Sequence, residues 1–126
     1  MKMTNGEMWD SIQTLSAVKE TGKLGYACAR NLRKLMGEAR EFMDTRDRLL
    51  AEYGEDQGNG KFVIPPEKVA AFTAALSEYS AIEHEVGVMT VSEDVFCSGG
   101  LTTKEMYALG WMVKEDGNER TGNAES

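Results

Sequence analysis

The chain has 126 residues, of which 41% are hydrophobic and 28% are charged, as is typical of a globular protein. Its net charge of −7 is unevenly distributed, since residues 1–50 carry nine Lys/Arg and seven Asp/Glu whereas residues 51–126 carry five and fourteen. This balance argues against binding to duplex nucleic acid, which requires many clustered cations. It permits a local anion site in the first half and a basic partner for the acidic second half.

The length predicts a single domain. No apolar stretch approaches the roughly 20 residues that a membrane span needs, and the opening Met1-Lys2-Met3-Thr4 lacks the apolar region of a secretory signal. We therefore expect a cytoplasmic protein without membrane contact. Cys28 and Cys97 form no spaced motif, so reduced thiols are expected. With a single histidine, they cannot supply four zinc ligands, and we predict no metal and no cofactor.

The first predicted element is a helix over about residues 5–20, ending near Gly22. Thr4 and Glu7 have the spacing of a capping box, which satisfies free amide groups at a helix N-terminus. The apolar residues that follow have helical spacing: Met8, Ile12 and Leu15. Trp9 lies beside them and widens this apolar face.

The longest predicted element is a helix over about residues 24–53 with a seven-residue apolar ladder. Its members are Cys28, Leu35, Phe42 and Leu49, beside a second row of Leu32, Ala39 and Tyr53 that Arg46 interrupts. After a Gly-rich turn and a short strand over 61–64, a third helix over about 67–86 repeats the pattern. Its apolar residues are Val69, Phe72, Leu76, Tyr79 and Val86. Two such helices predict an antiparallel hairpin packed along its length.

The last predicted elements are a weak strand over 88–91, which we expect to pair with 61–64, and a short helix that opens at a second capping box, Thr102 with Glu105. The predicted fold is therefore mainly α. A single helical domain over 1–113 contains a long antiparallel helical hairpin, two shorter packed helices and at most a small β-ribbon. Residues 114–126 are expected to be a disordered acidic tail. The apolar surface of the long hairpin is larger than the short helices can cover. This favours a homo-oligomer, and a dimer is the first expectation.

Four sequence features occur in the same order as in one known group of proteins. They are the opening Lys2-Met3-Thr4-Asn5-Gly6-Glu7, the helix from Tyr26 to Met36, the helix end Leu49-Leu50-x-x-Tyr53-Gly54 with the turn Asn59-Gly60, and the closing Leu101-Thr102, Leu109 and Met112. Over most of residues 1–113 the chain resembles small uncharacterised proteins encoded by phages and prophages of Gram-positive bacteria. That family is a domain of unknown function. The resemblance implies a viral origin, and hence the cytoplasm of a host bacterial cell, but no particular activity.

The candidate ligand-binding residues belong to a basic part of the long helix and to aromatic residues near it in the sequence. They are Arg30, Arg33 and Lys34, with Trp9 and Tyr26. Residues three and four apart share one side of a helix, guanidinium groups bind phosphate in a forked geometry, and aromatic rings stack on bases. The pattern indicates a nucleotide pocket. The alternative, favoured for most charge runs, is a solvated face on which Lys34 pairs with Glu38.

Two further patterns point to other chemistry only weakly. The loop Glu55–Pro66 has some spacing of a calcium loop, but Pro66 stands where a bidentate carboxylate is needed, so a tight turn is the better interpretation. His84 and Cys97 are the residue types of a general base and its nucleophile, although no orienting motif accompanies them. A surface histidine is the favoured interpretation, and no catalytic residue is predicted.

These features favour a non-enzymatic phage accessory protein that acts by binding. Our leading hypothesis is an inhibitor of host antiviral defence that either occupies a host protein or sequesters a small anionic nucleotide. The alternative is a virion or tail-assembly structural component, into which the helical hairpin would dock.

Overall fold

The computed structural model of the chain describes residues 1–114, and the predicted tail lies, from residue 115 onward, outside them. The described part is mainly α, as predicted. Its α-helices are α1 (Asn5–Ala17), α2 (Gly22–Glu38), α3 (Arg40–Tyr53), α4 (Val69–Ser80), α5 (Glu93–Cys97) and α6 (Thr103–Ala108). The strands are β1 (Lys2–Thr4), β2 (Glu55–Asp56), β3 (Phe62–Val63) and β4 (Glu83–Glu85). Within residues 1–114, no helix is long and apolar enough to cross a membrane.

The chain groups into two compact units, each built from separate stretches of sequence. Unit 1 comprises Met1–Trp9 and Leu35–Val86, and unit 2 comprises Asp10–Lys34 and the described residues from Gly87 onward. Unit 1 contains both ribbons and the packed helices α3 and α4. Unit 2 contains most of α1 and α2 together with α5 and α6.

The predicted long helix is present as two helices, α2 and α3, which are separated at Ala39. The backbone of Ala39 departs from helical values, with φ −92° and ψ 7°. Helical hydrogen bonds nevertheless span the interruption, since the Ala39 amide donates to Leu35 (2.8 Å) and the Met43 amide donates to Ala39 (2.9 Å). All four members of the predicted ladder are buried, namely Cys28, Leu35, Phe42 and Leu49. The apolar seam is confirmed, although the helix that carries it is not continuous.

The predicted third helix ends earlier than residue 86. Helix α4 follows a 3-10 turn at Pro66–Lys68 and stops at Ser80. Glu83–Glu85 instead form β4, which pairs antiparallel with β1. The amide of Asn5 donates to the Ile82 carbonyl (2.9 Å), and its side-chain nitrogen donates to the Tyr79 carbonyl (2.9 Å). Asn5 thus provides hydrogen-bond donors for two carbonyls at the end of α4. The residues around position 80 give no sign of this, because the donor comes from the start of the chain.

The ribbon between α3 and α4 differs from the predicted one. β3 pairs with β2 across a turn in which Gly58 and Gly60 have φ of 88° and 80°, so the predicted pairing of 61–64 with 88–91 is wrong. Positive φ at Gly60 agrees with the Asn-Gly turn signal. The Gly58 amide donates to Asp56 Oδ1 (2.8 Å), so this carboxylate serves the turn. Val91 forms a parallel bridge with Val113 instead.

Both predicted capping boxes are confirmed. At α1, Glu7 N donates to Thr4 Oγ1 (3.0 Å) and Thr4 N donates to Glu7 Oε1 (2.8 Å). At α6, the same reciprocal bonds join Thr102 and Glu105. Helix α1 is shorter than the predicted 5–20, since it ends at Ala17. Helix α6 ends at Ala108, and a 3-10 turn over Gly110–Met112 follows it.

Candidate functional site

Helix α2 presents basic and aromatic side chains along one side. Lys23, Tyr26 and Arg30 follow at intervals of three and four residues, which places them on one face of the helix. All three are exposed, and Tyr26 retains 60% of its accessible surface. Over the seven residues from Lys23 to Arg30 the helix rises about 10 Å. This face therefore offers two cations separated by an aromatic ring.

The segment over residues 87–92 lies beside this face and is held by Asn31. The Asn31 side chain is 1% exposed, and both of its polar atoms bond to the backbone of Met89. Its Nδ2 donates to the Met89 carbonyl (2.9 Å), and its Oδ1 accepts from the Met89 amide (2.7 Å). The amide side chain thus pairs with a stretch of irregular backbone as a neighbouring strand would, and it fixes the position of that stretch against α2.

Two cavities lie between α2 and this segment. The first, of about 480 Å³, is lined by Gly22, Lys23, Tyr26, Met89, Thr90, Val91, Ser92 and Val95. The second, of about 390 Å³, is lined by Tyr26, Arg30, Gly87, Val88 and Met89. Because the cavities share Tyr26 and Met89, they lie side by side, and together they form what we call the α2 groove. The groove combines an apolar surface with a cation in each cavity.

Tyr26 and Arg30 are the predicted site residues that the structure brings to the α2 groove. Arg33 and Lys34 are exposed on α2 but line neither of its two cavities. Within residues 1–114, no salt bridge engages Lys23 or Arg30.

Trp9, the fifth predicted site residue, lies in unit 1 and has a different neighbour. The guanidinium of Arg46 stacks over the Trp9 ring, 4.5 Å from its centre. This contact accounts for Arg46, whose charge interrupts the second apolar row, because a guanidinium over an indole face is attracted by the ring quadrupole. Trp9 therefore already has a cationic partner within unit 1.

The contacts of Glu38 and His84 also differ from the predicted ones. The alternative interpretation pairs Lys34 with Glu38, but in the described chain no contact within 4 Å joins them. Glu38 Oε2 lies 3.0 Å from His84 Nδ1 instead. His84 is therefore engaged by a carboxylate in unit 1, whereas Cys97 belongs to unit 2. Among residues 1–114, no cluster of three or more His, Cys, Asp or Glu could hold a metal ion.

Sequence reasoning missed Asn31 as the residue that organises the groove. Its position offered one signal, because it lies three residues after Cys28 and four before Leu35, on the apolar ladder itself. A polar side chain on a buried face requires hydrogen-bond partners. What the sequence does not show is that the partner is Met89, 58 residues further along the chain.

The two thiols should differ strongly in reactivity. Cys28 is buried, and burial together with the nearby carboxylates of Glu20 and Glu105 raises the pKa of its thiol. Cys97 is exposed. Because the thiolate is the reactive form, we expect a thiol reagent at pH 8 to modify Cys97 at least about ten times faster than Cys28 in the native protein.

This difference can be measured by following colour development with a disulfide reagent on the single variants Cys97→Ser and Cys28→Ser. Native Cys97→Ser should react slowly, and denaturant should release its remaining thiol at once. Equal rates for the two native variants would contradict the burial of Cys28.

No family model, curated protein or solved structure matches this chain. The geometry of its own residues is therefore the basis for a functional assignment.

Proposed function

We propose that this protein is a non-enzymatic binding protein that holds a small anionic nucleotide in the α2 groove. The single observation that carries the proposal is the placement of Tyr26 between Lys23 and Arg30 beside an apolar wall. Such a groove suits a ligand with a flat, weakly polar part and a negatively charged part. A nucleotide has both.

The groove residues divide into two kinds of contact. Arg30 supplies a planar fork of donors for phosphate oxygens. Tyr26 offers an exposed ring on which a base can stack, and the apolar side chains of Met89 and Val91 provide a surface for the other face. Lys23, about 10 Å from Arg30 along α2, would meet a second phosphate or a ribose hydroxyl. Arg33 and Lys34 would add long-range attraction for an anion from the same helix.

The biological setting of the proposal comes from the resemblance to phage and prophage proteins. In that setting, a phage accessory protein in the cytoplasm of a bacterial host would withdraw a nucleotide signal from an antiviral defence. Binding without turnover is sufficient for this role, because a ligand is removed from solution when its binder is in excess.

The test is thermal unfolding and titration calorimetry with a panel of mononucleotides, cyclic dinucleotides and ADP-ribose. A ligand of the native state raises the unfolding temperature, and we expect at least one member to do so. For that ligand, Arg30→Ala should weaken binding by about 10–100-fold, since a hydrogen bond to a charged group contributes about 1.5–3 kcal/mol. Tyr26→Ala should cost about as much through lost stacking, whereas Tyr26→Phe should not.

Arg48→Ala is the matched control for Arg30→Ala, because Arg48 is also an exposed helical arginine but lies on α3 in unit 1. The control should bind like the unaltered protein. The proposal fails if no nucleotide in the panel binds, or if both arginine variants weaken binding equally.

A second route to the same biological outcome uses the acidic second half of the chain. Residues 51–126 carry fourteen Asp/Glu against five Lys/Arg, a charge that would favour a basic surface on a host protein. This route predicts a bacterial protein that co-purifies with the tagged chain and dissociates as salt is raised. Nucleotide binding without any such partner would favour the α2 groove.

The alternative function, a virion or tail-assembly component, is favoured by one observation in unit 1. Helix α4 is largely apolar with one charge, Glu78, yet in the described chain none of its side chains is fully buried. Val69 and Tyr79 remain exposed on it. A helix of this composition is normally covered, and a second copy of the chain or a larger assembly would cover it. Mass spectrometry of purified particles separates these cases, because a structural component must be found in them.

A further inference from the structure

The α2 groove is divided into two cavities of similar size. They measure about 480 and 390 Å³, and each alone falls within the range of roughly 300–1,000 Å³ that small-molecule pockets have. Tyr26 and Met89 line both cavities and therefore form the boundary between them. A ligand with a single ring-bearing part would fill one cavity and leave the other to solvent. The division favours a ligand that has two such parts.

The boundary between the cavities is held in place from both sides. Tyr26 belongs to the regular helix α2, and the backbone of Met89 is fixed by its two hydrogen bonds with Asn31, at 2.7 and 2.9 Å. Moving the segment over 87–92 would break both bonds and leave the side chain of Asn31, which is 1% exposed, without partners. The division of the groove is therefore part of the fold, and a ligand has to match it.

Each cavity has a cation and an apolar surface of its own. Lys23 lines only the larger cavity, and Arg30 lines only the smaller one. Val95 adds apolar surface to the larger cavity, and Val88 adds it to the smaller one. A nucleoside phosphate needs the same two features, an apolar wall for its base and a cation for its phosphate. Each cavity therefore has the requirements for one half of a larger ligand.

We propose that the ligand of the α2 groove is a dinucleotide, with one nucleoside in each cavity and a phosphate linkage that passes Tyr26. This inference rests on the proposed function and narrows its ligand class. Because the halves are joined, the second half binds at the high effective concentration that the first one sets. Linkage of this kind raises affinity by about 10²–10⁴-fold. A mononucleotide lacks the second half and should bind far more weakly.

The experiment compares mononucleotides with dinucleotides of the same base by titration calorimetry. AMP, GMP, CMP and UMP are each paired with the linear dinucleotide that carries a terminal phosphate and with the cyclic dinucleotide. We expect at least one dinucleotide to bind at one molecule per chain and at least about 100-fold more tightly than its mononucleotide. Such a ratio for the linear or for the cyclic form supports the proposal and identifies the linkage that fits the groove.

Lys23→Ala tests whether the dinucleotide reaches the larger cavity. The substitution should weaken dinucleotide binding by about 10–100-fold, as expected for loss of a charge-assisted hydrogen bond. Lys104→Ala is the matched control, because Lys104 is an exposed helical lysine of unit 2 that lines neither cavity. It should change binding less than about twofold.

Thr90→Trp tests the need for both cavities without removing a charge. Thr90 is exposed and lines only the larger cavity, so an indole there would occupy space that the ligand needs without disturbing the core. In this variant the dinucleotide should bind less than about tenfold better than its mononucleotide, because only the smaller cavity stays open. Thr73→Trp, at an exposed threonine of α4 in unit 1, should keep the full ratio.

The outcomes separate this inference from the proposed function. The inference is overturned, while nucleotide binding stands, if every dinucleotide binds less than about 100-fold more tightly than its mononucleotide. Two dinucleotides per chain, or a Lys23→Ala variant that binds the dinucleotide like the unaltered protein, would overturn it in the same way. If no mononucleotide and no dinucleotide binds, the proposed function fails and the inference fails with it.

Discussion

We expect Asn31→Ala to lower the free energy of unfolding by roughly 2–5 kcal/mol, because two hydrogen bonds are lost and both of their backbone partners are left without replacement. The Asn31 side chain is 1% exposed, and its bonds to Met89 measure 2.7 and 2.9 Å. The cost of the small cavity left by the shortened side chain adds to this. Chemical denaturation followed by circular dichroism measures the change.

Asn59→Ala is the matched control, since Asn59 is an exposed asparagine in the β2–β3 turn whose Oδ1 accepts from Lys61 N at a long 3.3 Å. We expect a change within about 0.5 kcal/mol there. Asn31→Asp should resemble Asn31→Ala, because a carboxylate would still accept from the Met89 amide but would repel the Met89 carbonyl. If Asn31→Ala and Asn59→Ala are equally mild, the hydrogen bonds to Met89 do not hold the segment over 87–92.

Leu35→Ala is expected to be the other strongly destabilising substitution, with a loss of roughly 3–5 kcal/mol. Leu35 is fully buried, at 0% exposure, and lies at the centre of the apolar ladder. Removing three carbon atoms from a packed core loses their transfer free energy and leaves a cavity that neighbouring side chains fill only partly. Alanine is itself a good helix former, so the loss reports on packing and not on helix propensity.

The neighbouring Met36 provides the control for Leu35. It lies on the same helix but is 45% exposed, and Met36→Ala should cost less than about 1 kcal/mol. Both variants can be measured in one denaturation series, with the slope against denaturant confirming that the unfolding transition is unchanged. Similar losses at the two positions would mean that the ladder is not the packed seam of the fold.

The apolar ladder of α2 and α3 was accessible from sequence. The ladder from Cys28 to Leu49 is buried at every predicted position, because seven-residue spacing keeps side chains on one face of a helix whatever else the chain does. The two capping boxes were also predictable, since each requires only two residues three apart. The interruption at Ala39 was not predicted, because alanine itself favours the helix, and Gly37, which lowers helix propensity two residues earlier, still lies within α2.

Long-range pairing limited the rest of the prediction. Glu83–Glu85 come soon after the apolar pattern of α4, so the sequence predicts that the helix continues through them. They form a strand because they pair with Lys2–Thr4. Of the predicted ligand-binding residues, Tyr26 and Arg30 share a helix face through their spacing, but the groove that they line depends on the distant segment over 87–92. Trp9 could not be placed by spacing, because its neighbour Arg46 comes from a different helix.

Each compact unit takes its residues from two distant parts of the chain, and this has a consequence for synthesis. Met1–Trp9 leave the ribosome before the rest of their unit, yet they cannot complete it until Glu83–Glu85 have emerged. The nascent chain must therefore carry an unpaired edge and an open apolar face until residue 85 has been synthesised, and closing so large a loop slows folding. Every contiguous piece that spans unit 1 also carries residues 10–34 of unit 2, so neither unit can be excised as a fragment without part of the other.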